Sequence, residues 1–587
     1  MATISLPAFS SVTPRGSKRE LAEKIVNSMV EARRPLEQEI YEIASLAQPN
    51  RSRHVCAFGN NGKGVKKRAN RLFSGHAIRS FRYLTGGMYS GMSSPNRPWF
   101  AFQLPDRDLM QYAPVKWWLA DTASVIAQML ATSNFYGAKK IGYSEIGLFG
   151  TDACIMAEGL DHETGSTYPV SYPQTFGEYW ISCNDKGEPN RLVRKSYMTV
   201  ENVVKSFVPD RLDRTKLDWS KVTPAVQNAW ANGNYQNEIP VWHMIEENPD
   251  WTPGNFDDGG KPWRSMKWEE GQSAKDILLE EAGFHSQPFW APRWEVTGSD
   301  DYGFGPGHDA LTDMRVLQLQ AKRKGEATDM LVKPPLIAPS NVAVKFNAGS
   351  VTYASQADMG KVQPLIQMDP RSIDFIGKDV NECKADIDEA TFARLFMAIS
   401  NLEGSADRTV AEIAAREEEK LTQLGPVIER VNNEGLAIAI DRAFDIAVRN
   451  EMLAPPPPEL GGMPIEIDFT SILAQAQKMV GIQQTERALS FVATLDQSTG
   501  GSRGVWDNVD TDKLVTDIWT RTGASPEALR DDRVRDQDRA AAAQQARAAQ
   551  ATAQMGDAKA GAEAVKTLAE TPVDGGDATF FDKLIGV

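Results

Sequence analysis

The chain has 587 residues, a formal net charge of −14, 41% hydrophobic residues and 24% charged residues. At about 150 residues per domain this is room for three to five structural units, and the balance is that of a folded chain rather than a disordered, collagenous or membrane-embedded one. No window approaches about 18 uninterrupted apolar residues, so no membrane-spanning helix is expected.

Residues 1–16 lack a basic stretch followed by an apolar one, so no secretory signal is expected. From Lys18 to Gln48, apolar residues recur every three or four positions (Leu21, Ile25, Met29, Leu36, Ile40, Ile43), which predicts a helix ended by Pro49 and Asn50. The first hundred residues hold 16 Lys and Arg against 6 Asp and Glu, so the remaining 487 carry −24. Tight phosphate binding needs the opposite balance, which argues against a conventional DNA-binding domain but not against a protein past which DNA slides. The basic cluster Arg51, Arg53, Lys63, Lys66, Lys67, Arg68 and Arg71 reads as a solvated loop or as a nucleic-acid or partner contact.

A second helix is predicted over Val115–Tyr136, followed by a small-residue stretch and by strand-like segments over 166–200. Helical spacing returns over 199–233, interrupted at PDRLDRTK, and a strand-rich block follows Pro240. Eight of the 14 tryptophans fall between 219 and 294, where each is either β-core or an interface anchor. The GFGPGHD segment at 303–309 reads as a helix-initiating turn rather than a phosphate loop, because Pro306 removes a donor; its helix stops at Pro334 and Pro335. On that helix Ala310, Met314, Leu317 and Ala321 share one face while Arg315, Gln318 and Lys322 share another. Further helices are predicted over 386–400 and 407–450, the latter kinked by Gly425-Pro426, with a stiff linker at Pro455–Pro458. The Ala/Gln-rich stretch from 531 buries too little area to form its own globule.

Catalytic patterns are hard to find. Gly62-Lys63 and Gly260-Lys261 lack the Ser/Thr context of a nucleotide-binding loop. The six histidines show no metal-ligand spacing, and His308 at a helix start reads as a surface or capping residue. Glu417–Glu419 point in different directions on a helix. The GxSxG match at 500–504 has no following histidine and reads as a loop. The cysteines Cys56, Cys154, Cys183 and Cys383 form no CxxC pair and read as small buried hydrophobes. No metal, cofactor or enzymatic activity is expected.

Several blocks go further: Ser93-Ser94-Pro95-Asn96-Arg97-Pro98-Trp99-Phe100, Ser133-Asn134-Phe135-Tyr136, Phe149-Gly150-Thr151, GEYWISCNDKG, PFWAPRW, YGFGPGHDALTD and RTVAEIAAREEEKLTQLGPVIERVNNEGL. In this order they resemble the head-to-tail connector (portal) proteins of short-tailed, podovirus-type bacteriophages. The resemblance implies an α+β portal fold of wing, stem, clip and crown, mainly helical with a β-rich clip and wing. It implies a wing at 1–197 and 333–398, stem helices at 198–235 and 304–332, and a clip at 236–303. A tunnel loop at 399–409, a kinked helix at 410–454, a crown at 455–530 and a tail or barrel at 531–587 complete it.

The resemblance further implies a closed ring of roughly twelve copies at one capsid vertex, assembled in the host cytoplasm. Expected partners are a separate large terminase subunit, a tail adaptor, capsid and scaffolding proteins, and weakly held double-stranded DNA. Under this reading Arg315, Gln318, Lys322, Lys324 and Arg408 line the DNA channel, and Trp251, Trp263 and Trp268 anchor clip contacts. The alternative is an internal virion or tail structural protein, which should lack the PNRPWF and YGFGPG blocks.

Overall fold

A computed structural model describes residues 17–50, 72–402 and 418–474, apart from 111, 161–164, 166, 210–215, 252–253, 255–259, 272–276, 341, 346–350, 359, 366–368 and 370. It also describes 488–495, 509–510, 512–515, 535, 537–548, 559, 561–563 and 566. The chain divides into two units, 1–490 and 491–587.

In chain order the first unit begins with α1 (Lys18–Ala47), α2 (His76–Met92), β1 (Phe100–Gln103), α3 (Ala113–Thr132) and α4 (Phe135–Phe149). Then come β2 (Ala153–Leu160), β3 (Thr167–Gln174), β4 (Tyr179–Cys183), β5 (Pro189–Thr199), α5 (Val200–Phe207) and α6 (Pro224–Ala231). These lead into β6 (Glu238–Glu247), β7 (Trp263–Glu269), β8 (Glu280–Phe284), β9 (Phe289–Trp290) and α7 (Leu311–Val332). The rest is β10 (Leu336–Ile337), β11 (Gln363–Pro364), α8 (Arg371–Ala390), α9 (Ala393–Leu402), α10 (Glu418–Val431), α11 (Ile438–Arg449) and β12 (Glu466–Phe469). Helix and strand are therefore mixed, as expected. The main sheet runs β4-β5-β6-β7-β8 and a smaller one runs β3-β2-β9, all antiparallel.

Helix α1 starts where the Ser17 hydroxyl accepts from the Glu20 amide at 3.3 Å, supplying one of the partners a helix start lacks. Its first half buries Ala22, Val26 and Met29 against Trp180, Val193, Met244 and Trp268 of the main sheet. Its second half buries Ile40, Ile43 and Ala44 in a core shared with α4, α7 and α8. Two fully buried arginines hold it there. Arg19 donates to the carbonyls of Glu269 at 2.8 Å and Gly271 at 3.0 Å. Arg33 lies over the rings of Trp180 and Phe176 and donates to the Tyr179 carbonyl and to Glu37. Paired charges of this kind are the form in which a buried guanidinium is tolerated.

Two expectations change here. The 198–235 segment is not one helix. Pro209 lacks the amide that would continue α5, and α6 restarts at Pro224 on a Thr223 N-cap. Nor is 236–303 separate from the preceding strands, because β5 pairs with β6 from Arg191↔Glu246 to Thr199↔Glu238 within one sheet. The α5–α6 excursion is an insertion between two sheet neighbours, with its own small core around Val203, Phe207 and Val226. Pro426 sits inside α10, and a π turn at Asn432–Ala437 leads from α10 into α11.

Helix α2 buries Ala77, Phe81, Leu84, Met88 and Met92, a stripe at spacings of three and four, and both α2 and α4 also carry glycines. Their glycines are contact points: a Cβ on Gly87 would lie 2.3 Å from Phe396, and one on Gly147 would lie 2.5 Å from Leu84. Glycine there lets α2, α4 and α9 approach closely at some cost in helix propensity. Cys154 and Cys383 are buried and Cys183 is half-buried. Burial pushes the Cys183 thiol up to about 12, which leaves it unreactive. In the second unit, a helix over 537–548 is exposed throughout and its Arg539 donates to Asp512 at 2.8 Å. Among the described residues no helix is long and apolar enough to cross a membrane.

Candidate functional site

The feature most unlike an ordinary core is the helical pair α7–α8 and the 38 residues between them, 333–370. The pair is antiparallel. Asp313, near the start of α7, senses the charge of Asp386 near the end of α8, while a Cβ on Gly377 would lie 3.4 Å from Lys324 Nζ. The two helices are rooted together by Leu311, Met314 and Leu317 against Val380, Cys383 and Ile387. Past Leu317 only Ala327 is buried on α7, so the far half of the pair leaves the core. The intervening segment is fastened by the short β10–β11 pair, Leu336↔Pro364 and Ile337↔Gln363. It carries Tyr353, which is 84% exposed, beside exposed Val351 and Leu365.

The root of α7 is built from the glycine motifs. Gly150 ends α4 in the left-handed region, at φ 72°, and a Cβ there would lie 2.3 Å from the Gly303 carbonyl oxygen. A Cβ on Gly307 would lie 1.9 Å from the Leu148 carbonyl oxygen. The Gly303 amide donates to Thr151 Oγ1 at 2.9 Å, and the Glu295 and Phe304 amides exchange bonds with each other's carbonyls. His308 caps the turn, its Nδ1 accepting from the Gly305 amide at 3.2 Å. Burial lowers the His308 pKa, so the ring is neutral and its Nδ1 is free to accept. The segment is thus the expected helix-initiating turn, and also a close backbone crossing between two distant stretches of chain.

A second junction holds the turn between α10 and α11. Arg293 has almost no exposed surface, and its guanidinium grips Glu434 through Nη2 at 2.9 Å and Nε at 3.1 Å. It also donates to the Asp300 carbonyl at 3.3 Å and to the Gly187 carbonyl. Burial alone would pull its pKa down, but the bond and charge of Glu434 raise it above the usual value. One residue on, a Cβ at Gly435 would lie 3.1 Å from Pro292. Further along α11, Arg442 and Arg449 share the carboxylates of Glu158 and Asp445. Burial would raise both carboxyl pKa values, yet the Arg449 bond and the two guanidinium charges hold them below the usual range.

The profile of the bacteriophage head to tail connecting protein family matches residues 19–529. The chain belongs to this family. It is 33% identical over 560 residues to the portal protein of Salmonella phage epsilon15, covering 94% of this chain and 96% of the relative. It is 31% identical over 492 residues to the probable portal protein of Bordetella phage BPP-1, covering 83% of this chain and 84% of that one. Among solved structures, a chain of the native gene transfer agent virion covers 81% of this chain and 99% of its own length at 11% identity. Its TM-score of 0.34 is too low to carry fold or function.

In this connector-family chain the sequence blocks of the resemblance meet one another. Trp99 of PNRPWF donates Nε1–H to Tyr136 at 3.1 Å and stacks on Phe135 of SNFY. Phe149-Gly150-Thr151 meets GFGPG, and Arg293 of PFWAPRW meets Glu434 of VNNEGL. They are packing junctions between segments far apart in the chain.

The expected channel residues are scattered by comparison. Arg315 is taken by Glu42 of α1, with Nε 2.6 Å from the carboxylate. Both groups are well exposed, so solvent screens this pair and it adds little to stability. Gln318 is spent on the chain before α2, accepting from the Phe73 and Ser74 amides and donating to the Ser74 carbonyl at 2.7 Å. Lys322 lies 3.7 Å from Glu326 one turn on, Lys324 is half-buried beside α8, and Arg408 lies outside the described residues. So do the basic cluster at 51–71, most of the tunnel-loop segment and the GxSxG match.

Of the three tryptophans, Trp268 is 1% exposed and sits in the core beneath α1, so it cannot reach a neighbouring molecule and is corrected to a core residue. Trp263 is half-buried edge-on to Phe289 at 5.5 Å, and only Trp251, 44% exposed, remains available. The exposed apolar group at 330–353 was missed, because isolated apolar residues in an irregular stretch show no periodicity.

Proposed function

We propose that this chain is a portal subunit. Copies of it close into a ring at one vertex of a phage capsid and form the conduit through which DNA is packaged and ejected, with the tail attached outside. The match to a portal protein over 94% of the chain, and to a probable portal protein over 83%, carries this reading. The conduit does no chemistry of its own: a separate terminase motor supplies the energy, and capsid, scaffolding and tail adaptor proteins meet its outer surfaces.

Charge is consistent with that role. A wall bearing many free Lys and Arg would hold DNA in place through released counterions, whereas a mostly acidic wall with few cations lets it translate. Helix α8 presents six carboxylates (Asp374, Asp379, Glu382, Asp386, Asp388 and Glu389) against three cations. On α7, the pairing of Arg315 with Glu42 and the approach of Lys322 to Glu326 weaken the positive rings they would form.

We keep the expected stem segment 304–332, as α7, and pair it with α8 rather than with 198–235, with 333–370 as the protruding piece between the two helices. The antiparallel pairing rooted in the core, and the apolar side chains left exposed beyond it, support this placement. The purified chain is expected to scatter light as a closed assembly of roughly twelve 64.7 kDa copies. A monomer at every salt and protein concentration would defeat the proposal.

A further inference from the structure

Helices α7 and α8 each leave a stripe uncovered, and Lys322 and Arg323 on the first are opposite in charge to Asp379 and Glu382 on the second. On α7, Leu319, Lys322 and Arg323 are exposed at spacings of three and four, on the side away from buried Leu317, with Arg323 bordering Ala327 one turn on. On α8, Phe375, Asp379 and Glu382 are exposed at the same spacings, off the buried line of Val380, Cys383 and Ile387. Leu319 is 47% exposed and Phe375 is 67% exposed, so each stripe pairs charge with apolar surface that water covers poorly.

The heights agree as well. With Asp313 near Asp386 and Lys324 near Gly377, residues whose numbers add to about 700 stand at one level of the antiparallel pair. Lys322 is therefore level with Lys378 and its neighbour Asp379, and Leu319 is level with Asn381 and its neighbour Glu382. Rotation about an axis running along the helices keeps every residue at its own height. Such a rotation sets the α7 stripe of one copy against the α8 stripe of the next.

We infer that these stripes form the contact between neighbouring copies: Lys322 and Arg323 of one copy against Asp379 and Glu382 of the next, with Leu319 covered at one end of the contact and Phe375 at the other. The contact joins two different surfaces, so it repeats head to tail and closes into a ring. Like charges brought together at this surface oppose assembly, which enforces the choice of face. This rests on the conduit reading, and it moves Lys322 from the channel wall to the contact between copies. DNA is a poor occupant for the α8 stripe, whose carboxylates repel phosphate.

The test uses the full-length chain and two charge-reversed variants, Lys322→Glu with Arg323→Glu, and Asp379→Lys with Glu382→Lys. Helical content by circular dichroism checks folding, and light scattering reads mass. Each variant alone is expected to associate at least tenfold more weakly than the parent chain, while a 1:1 mixture recovers a ring of alternating copies. Milder variants, Lys322→Ala with Arg323→Ala and Asp379→Ala with Glu382→Ala, should each weaken assembly less than the corresponding reversal. If the parent forms rings and the reversed variants do so equally well alone, or if the mixture fails to recover, the contact lies elsewhere and the inference falls while the conduit reading stands. If the parent forms no ring, the conduit reading itself fails.

Discussion

Replacing Gly307 by alanine is expected to be among the most damaging single-methyl additions in the chain. The new Cβ would sit 1.9 Å from the Leu148 carbonyl oxygen and 3.1 Å from Ile43 Cγ2. Neither the backbone oxygen that ends α4 nor the core under α1 can move aside cheaply, because interiors are packed to crystal density. Overpacking of this kind costs about 1–3 kcal/mol and sometimes more, and here it also displaces the root of α7. The expected outcome is a loss of roughly 3 kcal/mol, seen as a clearly lower thermal midpoint and a larger insoluble fraction. Gly325→Ala is the control. It lies inside α7, which that turn starts, with nothing within 4 Å of its would-be Cβ, so the better helix propensity of alanine should leave stability unchanged or raise it by up to about 1 kcal/mol. Equal effects at both positions would show that the crossing of the two glycine motifs is not what holds α7 in place.

The second large effect is expected at Arg293. Arg293→Met keeps most of the volume but strips Glu434 of both charged bonds and leaves the Asp300 and Gly187 carbonyls without their donor. Removing one member of a buried pair costs about 3–5 kcal/mol, because the other charge remains desolvated. Glu434 is 18% exposed and also lies 3.5 Å from Arg430, so the lower end of that range is expected. The double variant Arg293→Met with Glu434→Leu should recover much of the loss, since it leaves no stranded carboxylate. Thermal midpoints of the two single variants and the double variant measure this directly. Strictly additive losses would mean that the two groups are not coupled.

How far these features were legible follows from where their causes lie. Helix α1 was plain because its apolar residues repeat at helical spacing and Ser17 caps it, both local facts. Helix α7 was legible from its Gly-Pro start and the Pro334-Pro335 stop. Helix α2 is equally open to periodicity, with Ala77, Phe81, Leu84, Met88 and Met92 at helical spacing, but the approach that Gly87 allows to Phe396, 309 residues away, leaves no local pattern.

The 198–235 segment has helical periodicity, but the break at Pro209 and the strand pairing on both sides make it an insertion within one sheet. The channel residues were chosen from their position on one helix face. That geometry was sound, but Glu42 and the Ser74 backbone, which occupy Arg315 and Gln318, come from segments that periodicity cannot bring near. The tryptophan-rich block was read as core or interface, and individual residues fall on either side: Trp268 under α1, Trp251 exposed. Clearest of all were the ordered sequence blocks, because their residues are the ones that touch at the junctions.

End-on imaging of the purified, assembled chain tests the central claim most directly. A closed ring of roughly twelve copies around a hole wide enough for duplex DNA is the result this account predicts. Particles without a through-going hole, or a pore too narrow for duplex at every condition tried, would contradict it.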